Sequence, residues 1–201
     1  MNQNLTQNVF LQNTYDQFAS ALKVSNCNLC ALSEHRKNIV VHRGNPKSKV
    51  LIIGEAPGKN EDDTGYPFVG RAGKMLDEMM RTIDLNTQED AIIANIVKCR
   101  PPQNRVPKQD EVKACLPFLH YQIQLLKPKT IILLGTTAFK RMLPHLKFSS
   151  MKDIVGKVFK DDKFAEVNFV TLFHPAYLLY DPRKKEEMKK HLQQLKAKKI
   201  L

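Results

Sequence analysis

The stretch "KVLIIGEAPGKNEDDTGYPFVGRAG" (residues 49–73) joins a short apolar run directly to a loop rich in glycine and acidic residues. The run is apolar on both faces, which is typical of a strand in a parallel sheet covered on both sides. Glycines directly after such a strand indicate that the backbone approaches another group closely. Phosphate is the usual ligand of such loops, but the acidic side chains here repel it, and neither the Walker A nor the G-x-G-x-x-G pattern is present.

Apolar runs that recur along the chain predict the rest of the sheet. Together with the first run they predict four strands, at residues 50–53, 92–97, 130–134 and 167–173. Apolar residues at helical spacing lie between these runs, at residues 72–83 and 112–126. This alternation predicts an α/β protein, a three-layer α/β/α sandwich with a central four-stranded parallel sheet, in one domain over residues 1–201.

The two ends of the chain predict further helices. An apolar stripe through Leu11, Tyr15, Phe18 and Leu22 predicts an N-terminal helix at about residues 5–23, and a basic C-terminal helix is expected at about residues 183–199. The segment 183–199 holds eight basic and two acidic residues, half of the net charge of +12. Such a basic surface favours a polyanion, most often nucleic acid, but a solvated helix face is an equally good interpretation of this segment.

Composition limits the class of protein. The 201 residues suffice for one packed domain, and 42% hydrophobic with 26% charged residues is ordinary for a globular protein. The sequence has no apolar run near the length of a membrane span, and its first residues do not resemble an export signal. We therefore expect no membrane association and a cytoplasmic location, in a reducing compartment.

Polar residues mark the carboxyl ends of three predicted strands, where open α/β sheets bind ligands. Glu55 follows the first strand, Asn95 lies in the second and His174 ends the fourth. Asn95 can cap a neighbouring loop or read the edge of a base, and a lone histidine is more often structural than catalytic. Phe68, in the loop of the opening stretch, can pack on the core or stack on a planar ligand. These residues are expected to meet in one crevice.

The chain has four cysteines, Cys27, Cys30, Cys99 and Cys115. Disulfides are not expected in a reducing compartment. Cys27 and Cys30 form a C-x-x-C motif, which can be a redox pair, although no clear strand precedes it. The alternatives are a chance motif with two core cysteines, a zinc site or an iron–sulfur cluster, and the spacing alone slightly favours a metal site.

The motifs in combination resemble one family. "GEAPGKNEDDTGYPFVGRAG", "NIVKCRPPQNR" and "HPAYLL", with the four cysteines in this order, are similar to the family 4 uracil-DNA glycosylases, the iron–sulfur branch of that superfamily. The resemblance covers residues 27–182. It implies a DNA repair hydrolase that flips uracil out of DNA and cleaves its N-glycosidic bond, leaving an abasic site and free uracil.

The resemblance also implies roles for individual residues. The four cysteines would bind one four-iron four-sulfur cluster of structural function. Uracil would be bound by the strand-end loop and two side chains, namely Gly54, Ala56, Gly58, Phe68 and Asn95. The catalytic group would comprise Glu55, Glu61, Asn104 and His174. Among these, Glu61 and Asn104 would form a polar network near the sugar, and His174 would face the uracil O2.

The resemblance does not identify the group that activates the attacking water. Ala56 fills the position at which family 1 enzymes carry an aspartate, so Glu55 or Glu61 must act, or the water needs little assistance. We favour Glu61 acting with Asn104. Gly58 replaces a tyrosine that excludes thymine in family 1, so another part of the pocket must exclude it. The expected substrate is uracil-containing DNA and the expected state is a monomer.

Two other functions fit the sequence less well. A member of the superfamily that binds DNA without cleaving the glycosidic bond would share these motifs. A thiol redox protein would use Cys27 and Cys30 and hold no iron.

Overall fold

The structure, a computed structural model, describes residues 8–201. Its strands form a single sheet with the order β1-β3-β2-β4-β6-β5. In chain order the strands are β1 Arg43–Gly44, β2 Val50–Gly54, β3 Ile92–Asn95, β4 Thr130–Leu134, β5 Val158–Phe159 and β6 Asn168–Leu172. The four central strands are parallel to one another, whereas β1 and β5 pair antiparallel at the two edges.

The predicted α/β class is confirmed, but the sheet is larger than predicted. All four predicted strands are present in the parallel centre, and the sheet is mixed and six-stranded because of the two edge strands. Each edge strand is two residues long. A strand of that length has no periodic pattern that sequence analysis can detect.

Seven α-helices lie entirely within the described part of the chain: α1 Tyr15–Val24, α2 Lys59–Thr64, α3 Arg71–Arg81, α4 Gln109–Leu126, α5 Gly135–Met142, α6 Pro175–Leu178 and α7 Pro182–Ala197. Residues 8 and 9 are also helical, but the chain is not helical from residue 10 to residue 14. Helix α1 then begins at Tyr15, where the Thr14 hydroxyl accepts a hydrogen bond from the Gln17 amide and caps it. Leu11 is exposed and does not continue the apolar stripe. Residues 5–7 of the predicted helix lie outside the described residues.

Helices cover both faces of the sheet, as predicted. Within β2, Leu51 and Ile53 pack into the core that includes α1, α4 and α5, while Ile52 packs into the core that includes α3 and α7. Successive side chains of a strand point to opposite faces, so both faces need apolar residues to be buried. This explains why the strands are continuous apolar runs.

The basic segment at the C-terminus is partly compensated in charge. Met188, Leu192 and Leu195 are buried and form the packed face of α7. Five of the eight basic side chains form ion pairs, two of them with Glu186 and Glu187 of the same segment. The other three pair with acidic residues outside it, as Lys185 does with Glu78, so about half of the segment's excess positive charge is compensated. None of the helices in residues 8–201 is long and apolar enough to cross a membrane.

Candidate active site

A pocket of about 440 Å³ opens at the carboxyl ends of the central strands, within the usual size range of small-molecule sites. Eight of the nine predicted uracil-binding and catalytic residues line it: Glu55, Ala56, Gly58, Glu61, Phe68, Asn95, Asn104 and His174. These residues come from the ends of β2, β3 and β6 and from the loops beside them. The predicted convergence of the strand ends in one crevice is therefore confirmed.

Gly54, the ninth predicted residue, lies beneath the wall of the pocket. It is the register partner of Asn95 in the β2–β3 pair. A Cβ atom at Gly54 would lie 2.5 Å from Cζ of Phe68 and 2.6 Å from Oδ1 of Asn95. Glycine is required there because the aromatic ring and the amide both rest against the strand.

Phe68 forms one wall of the pocket in an uncommon backbone conformation. Its φ of 56° is in the left-handed region, which costs a bulky residue about 1–3 kcal/mol and is found mainly at functional sites. The carbonyl of Phe68 sits directly on Gly73 in the first turn of α3, where any side chain would collide with it. The Phe68 ring is nearly buried, and its centroid lies 6.0 Å from that of His174.

Asn95 presents an unused acceptor at the base of the pocket. The residue is 1% exposed, and its Oδ1 has no hydrogen-bond partner among the described residues. Leaving a buried acceptor unpaired costs about 1–3 kcal/mol. A ligand that donates an N–H to this oxygen would remove that cost.

His174 has a defined tautomer. It caps the short helix α6, where its Nδ1 accepts a hydrogen bond from the Ala176 amide at 3.2 Å. Burial lowers the pKa of His174 below the ordinary histidine value, which favours the neutral ring. A neutral imidazole that accepts at Nδ1 carries its proton on Nε2, so His174 has one N–H to donate to a ligand.

The carboxylate of Glu61 is already occupied by the backbone. Its Oε2 accepts from the Gly58 amide at 3.1 Å, and its Oε1 accepts from the amides of Val69 and Gly70 at 3.0 and 2.9 Å. Glu61 reaches back to Gly58, the residue that caps the start of its own helix, as a capping glutamate does, and also holds the end of the Phe68 loop. Its carboxylate therefore holds two segments of the pocket wall together, the one at Gly58 and the one at Val69 and Gly70.

Glu61 and Asn104 form no hydrogen bond with each other, and their predicted polar network near the sugar stays a prediction. Both side chains line the pocket, but Oδ1 of Asn104 accepts a hydrogen bond from Nε of Arg100 at 2.7 Å, while Glu61 is held by the three amides. By contrast, the side chain of Glu55 is half-buried and has no hydrogen bond or ion pair within residues 8–201.

Arg105 lines the pocket and was not among the predicted site residues. It forms a two-point ion pair with the fully buried Glu111, at 2.8 and 2.6 Å, and Glu111 also accepts from the Lys108 amide. The hydrogen bond from Arg105 is the main reason that the pKa of Glu111 is lowered. This pair anchors the loop of Asn104 to the start of α4. Nothing in the residue pattern indicates that Arg105 pairs with Glu111.

The four cysteines meet at a second pocket, which Arg36 and Lys98 also line. All four thiols are free; Cys99 and Cys115 are buried, and Cys27 and Cys30 are partly exposed. Burial is the main reason that the pKa of Cys99 is raised to about 12 and that of Cys115 to about 11. Thiolates in this place therefore need positive charge or a metal to stabilise them.

The second pocket brings four thiols together with two hydrogen-bond donors, the Lys98 amide and the Arg36 guanidinium. Within residues 8–201 no three His, Cys, Asp or Glu side chains are arranged to hold one metal ion. In a cluster each thiolate binds a separate iron, so the sulfurs can surround a wider space. The Lys98 amide donates to Sγ of Cys115 at 3.3 Å, and Arg36 approaches Sγ of Cys99 at 3.8 Å. Hydrogen bonds of this kind stabilise anionic sulfur ligands.

Comparison with known proteins agrees with this geometry. The sequence profile of the Uracil DNA glycosylase superfamily matches residues 41–196. The chain is 40% identical over 172 residues to a type-4 uracil-DNA glycosylase of Pyrobaculum aerophilum, covering 84% of this chain and 87% of the relative. Similar enzymes of Sulfurisphaera tokodaii and Archaeoglobus fulgidus are 41% and 39% identical, covering 80% and 82% of this chain and 74% and 84% of the relatives.

Proposed function

The chain belongs to the uracil DNA glycosylase superfamily, and we propose on that basis that it is a base-excision repair enzyme that removes uracil from DNA. It flips the uracil nucleotide out of the helix and hydrolyses the N-glycosidic bond, so that the products are free uracil and an abasic site. The observation that carries the proposal is the shared pocket of Phe68, Asn95 and His174, three residues from distant parts of the chain.

Recognition of uracil rests on Asn95 and Phe68. The unpaired Oδ1 of Asn95 accepts from N3–H of uracil, and its Nδ2 donates to O4. Cytosine reverses both roles, and a buried site that depends on such bonds rejects the wrong partner strongly. The Phe68 ring stacks on the flat face of the base, because its strained loop holds it beside the amide.

Cleavage rests on stabilising the departing base. As the glycosidic bond breaks, the sugar becomes positively charged and uracil leaves as an anion. His174 donates its Nε2–H to the developing charge on O2, while the Ala176 amide holds the ring in that tautomer. Loss of one such donor costs about 2.7–4 kcal/mol of transition-state stabilisation.

Glu55 is the better candidate for orienting the attacking water. Its carboxylate lines the pocket without a protein partner, while that of Glu61 is held by three backbone amides. Ala56 has no ionisable group. Carboxylates beside the sugar stabilise its positive charge and orient water, as they do in glycosidases. Glu61 and Asn104 contribute by holding the two loops that close the pocket.

The four cysteines bind one four-iron four-sulfur cluster with a structural role. When bound, the cluster links the N-terminal segment of Cys27 and Cys30 to the loop after β3. The same segment is tied to the active site by Asp62, whose buried carboxylate accepts from the amides of Lys37 and Asn38 at 2.9 and 3.2 Å. A reducing compartment such as the cytoplasm keeps the four thiols available as ligands.

The partner is uracil-containing DNA, and one chain suffices for the reaction. The proposed uracil-binding and catalytic residues line one pocket, and we expect the protein to act as a monomer. The positive net charge of +12 favours association with the phosphate backbone, and the affinity for DNA should fall steeply as salt is added.

The decisive experiment incubates the purified protein with an end-labelled oligonucleotide that contains one uracil and then cleaves abasic sites with alkali. We expect a single cleaved product from uracil opposite guanine or adenine, and none from matched oligonucleotides with cytosine or thymine. The protein must come from a host without its own uracil-DNA glycosylase, and His174→Ala prepared in parallel controls for contamination. Binding to the oligonucleotide without an abasic product would support the non-catalytic alternative, and dithiol redox activity without iron would support the thiol one.

A further inference from the structure

Lys98 is a buried lysine between the two pockets. Its side chain is 1% exposed and is among the largest fully buried side chains in residues 8–201. A lysine is almost never buried without a partner, because the ammonium loses its hydration. The position of Lys98 therefore needs an explanation that neither pocket supplies by itself.

The ammonium of Lys98 holds the main chain of Asn95. Its Nζ donates to the Asn95 carbonyl at 2.7 Å. Strand β3 ends at this residue, and the edge strand β1 pairs only with Ile92 and Ile93. The Asn95 carbonyl thus lies beyond the end of the β1 ladder, and Lys98 supplies the donor that the ladder does not.

The main chain of Lys98 faces the cysteines. Its amide donates to Sγ of Cys115 at 3.3 Å, and its carbonyl accepts from the Val40 amide at 2.8 Å, in the segment that follows the C-x-x-C motif. One residue therefore contacts a thiol through its amide and the uracil-reading asparagine through its ammonium.

No described carboxylate forms an ion pair with Lys98. Among the described residues, the Asn95 carbonyl is the one acceptor that its ammonium reaches, so the side chain of Lys98 is committed to that contact.

We propose that Lys98 is a positioning residue, which fixes Asn95 for uracil recognition and is itself held beside the cysteines by the hydrogen bonds of its main chain to Cys115 and Val40. The proposal rests on the proposed function and adds a link between the cysteine site and specificity. The Asn95 side chain has an unpaired Oδ1, so its direction depends on the main chain that carries it. A displacement of about 1 Å in a reacting group can lower a rate about 100-fold.

The test compares three variants with the wild-type holoenzyme. Lys98→Met removes the ammonium but keeps a long side chain, and Lys98→Gln keeps an N–H donor one bond shorter. Lys113→Met is the matched control, because Lys113 is exposed on the helix of Cys115 and its side chain makes no hydrogen bond or ion pair within residues 8–201. For each protein, bound iron, the dissociation constant of free uracil by titration calorimetry, and KM and kcat on a uracil oligonucleotide are measured.

We expect Lys98→Met to weaken the binding of free uracil at least about 10-fold and to lower kcat by about 10- to 100-fold, with KM for DNA nearly unchanged. Lys98→Gln should recover part of the uracil affinity, whereas its iron content should fall below that of the wild type. Lys113→Met should match the wild type throughout. A purely stabilising role would lower the melting temperature without this separation of kcat from KM.

Two results would overturn the role of Lys98. One is a Lys98→Met protein that retains iron and binds free uracil as tightly as the wild type. The other, which needs no variant to fold, is a crystal structure of the wild-type holoenzyme with uracil in which Nζ of Lys98 lies outside hydrogen-bonding distance of the Asn95 carbonyl. Wild-type protein that neither binds nor excises uracil would instead overturn the proposed function.

Discussion

Gly54→Ala is the substitution that tests the pocket most directly. The added methyl group would lie 2.5 Å from Cζ of Phe68 and 2.6 Å from Oδ1 of Asn95. Carbon atoms pack at about 3.5–4.0 Å, so the aromatic ring must retreat by about 1 Å or the strand must shift. Phe68 cannot retreat freely, because its carbonyl is packed on Gly73 and its loop is held by Glu61.

Gly54→Ala is expected to lower the rate of uracil excision more than the stability of the protein. Overpacking a rigid site costs about 1–3 kcal/mol of stability. For a protein of this size each kcal/mol lowers the melting temperature by about 2–4 °C. A displacement of about 1 Å at a reacting site lowers the rate by about 100-fold, so kcat/KM for uracil excision should fall at least that far.

The assay measures uracil release under steady-state conditions beside thermal unfolding of the same preparation. Ile53→Val is the matched control, since Ile53 is the preceding residue of β2, fully buried on the face that packs against α1 and α4. It should cost about 0.5–1.5 kcal/mol of stability while adding no atom to the pocket. Excision by Ile53→Val should remain near the wild-type rate.

The refuting result is a Gly54→Ala protein that excises uracil at the wild-type rate. It would mean that the positions of Phe68 and Asn95 against β2 do not matter for the reaction. If Ile53→Val lost as much activity as Gly54→Ala, the loss would reflect destabilisation of the strand, and the argument from the added methyl group would fail as well.

Four other substitutions or conditions have definite expected outcomes. Asn95→Asp should lower kcat/KM for uracil by about 100-fold or more, since a carboxylate cannot donate to O4; unchanged excision would remove Asn95 from recognition. The neutral His174 ring is the active form and burial lowers its pKa, so kcat should stay level as the pH falls to 6.5 and decline only below it; a decline that begins above pH 6.5 would contradict this. The free energy of unfolding should depend on His174 in the same direction. Its contribution should be present above pH 6.5 and be lost as the pH falls, because the unfolded chain takes up the proton more readily than the folded one. Cys99→Ser should lose bound iron and visible absorbance, and a protein as coloured as the wild type would exclude that thiol as a ligand. Gly156→Ala should unfold at a lower temperature, because φ is +69° and the methyl group would strike the ring of His191; wild-type stability would show that α7 can move away.

Local pattern predicted the parts of the molecule that depend on neighbours in the sequence. The apolar runs of β2 and β4 identify central strands, because both faces of each strand are buried. The run of β3 was predicted to extend to residue 97, and the amides of Ile96 and Val97 do continue the pairing, to the carbonyls of Gly54 and Glu55. The apolar stripe at the start predicted one continuous helix, whereas the chain is not helical from residue 10 to residue 14, where Leu11 is exposed and Thr14 caps α1.

The sequence predicted which residues line the candidate site but not the hydrogen bonds that these residues form. The motifs correctly indicated that Phe68, Asn95 and His174 share one pocket. They did not indicate that Glu61 is held by three amides, which moves the proposed water-orienting role to Glu55. A hydrogen bond depends on distances of a few tenths of an ångström, and a residue pattern contains no such distances.

The amino-acid sequence by itself determined the order of strands and helices and the polar residues at the strand ends, because these follow from periodicity and side-chain type within short segments. The expected chemistry of the site came from the resemblance of its motifs to one family. Only the tertiary structure decided which charges are free, as in Lys185 paired with the distant Glu78, and which group supports Asn95. Such pairings join segments that the sheet and the helices bring together, so they depend on the packing of the whole chain.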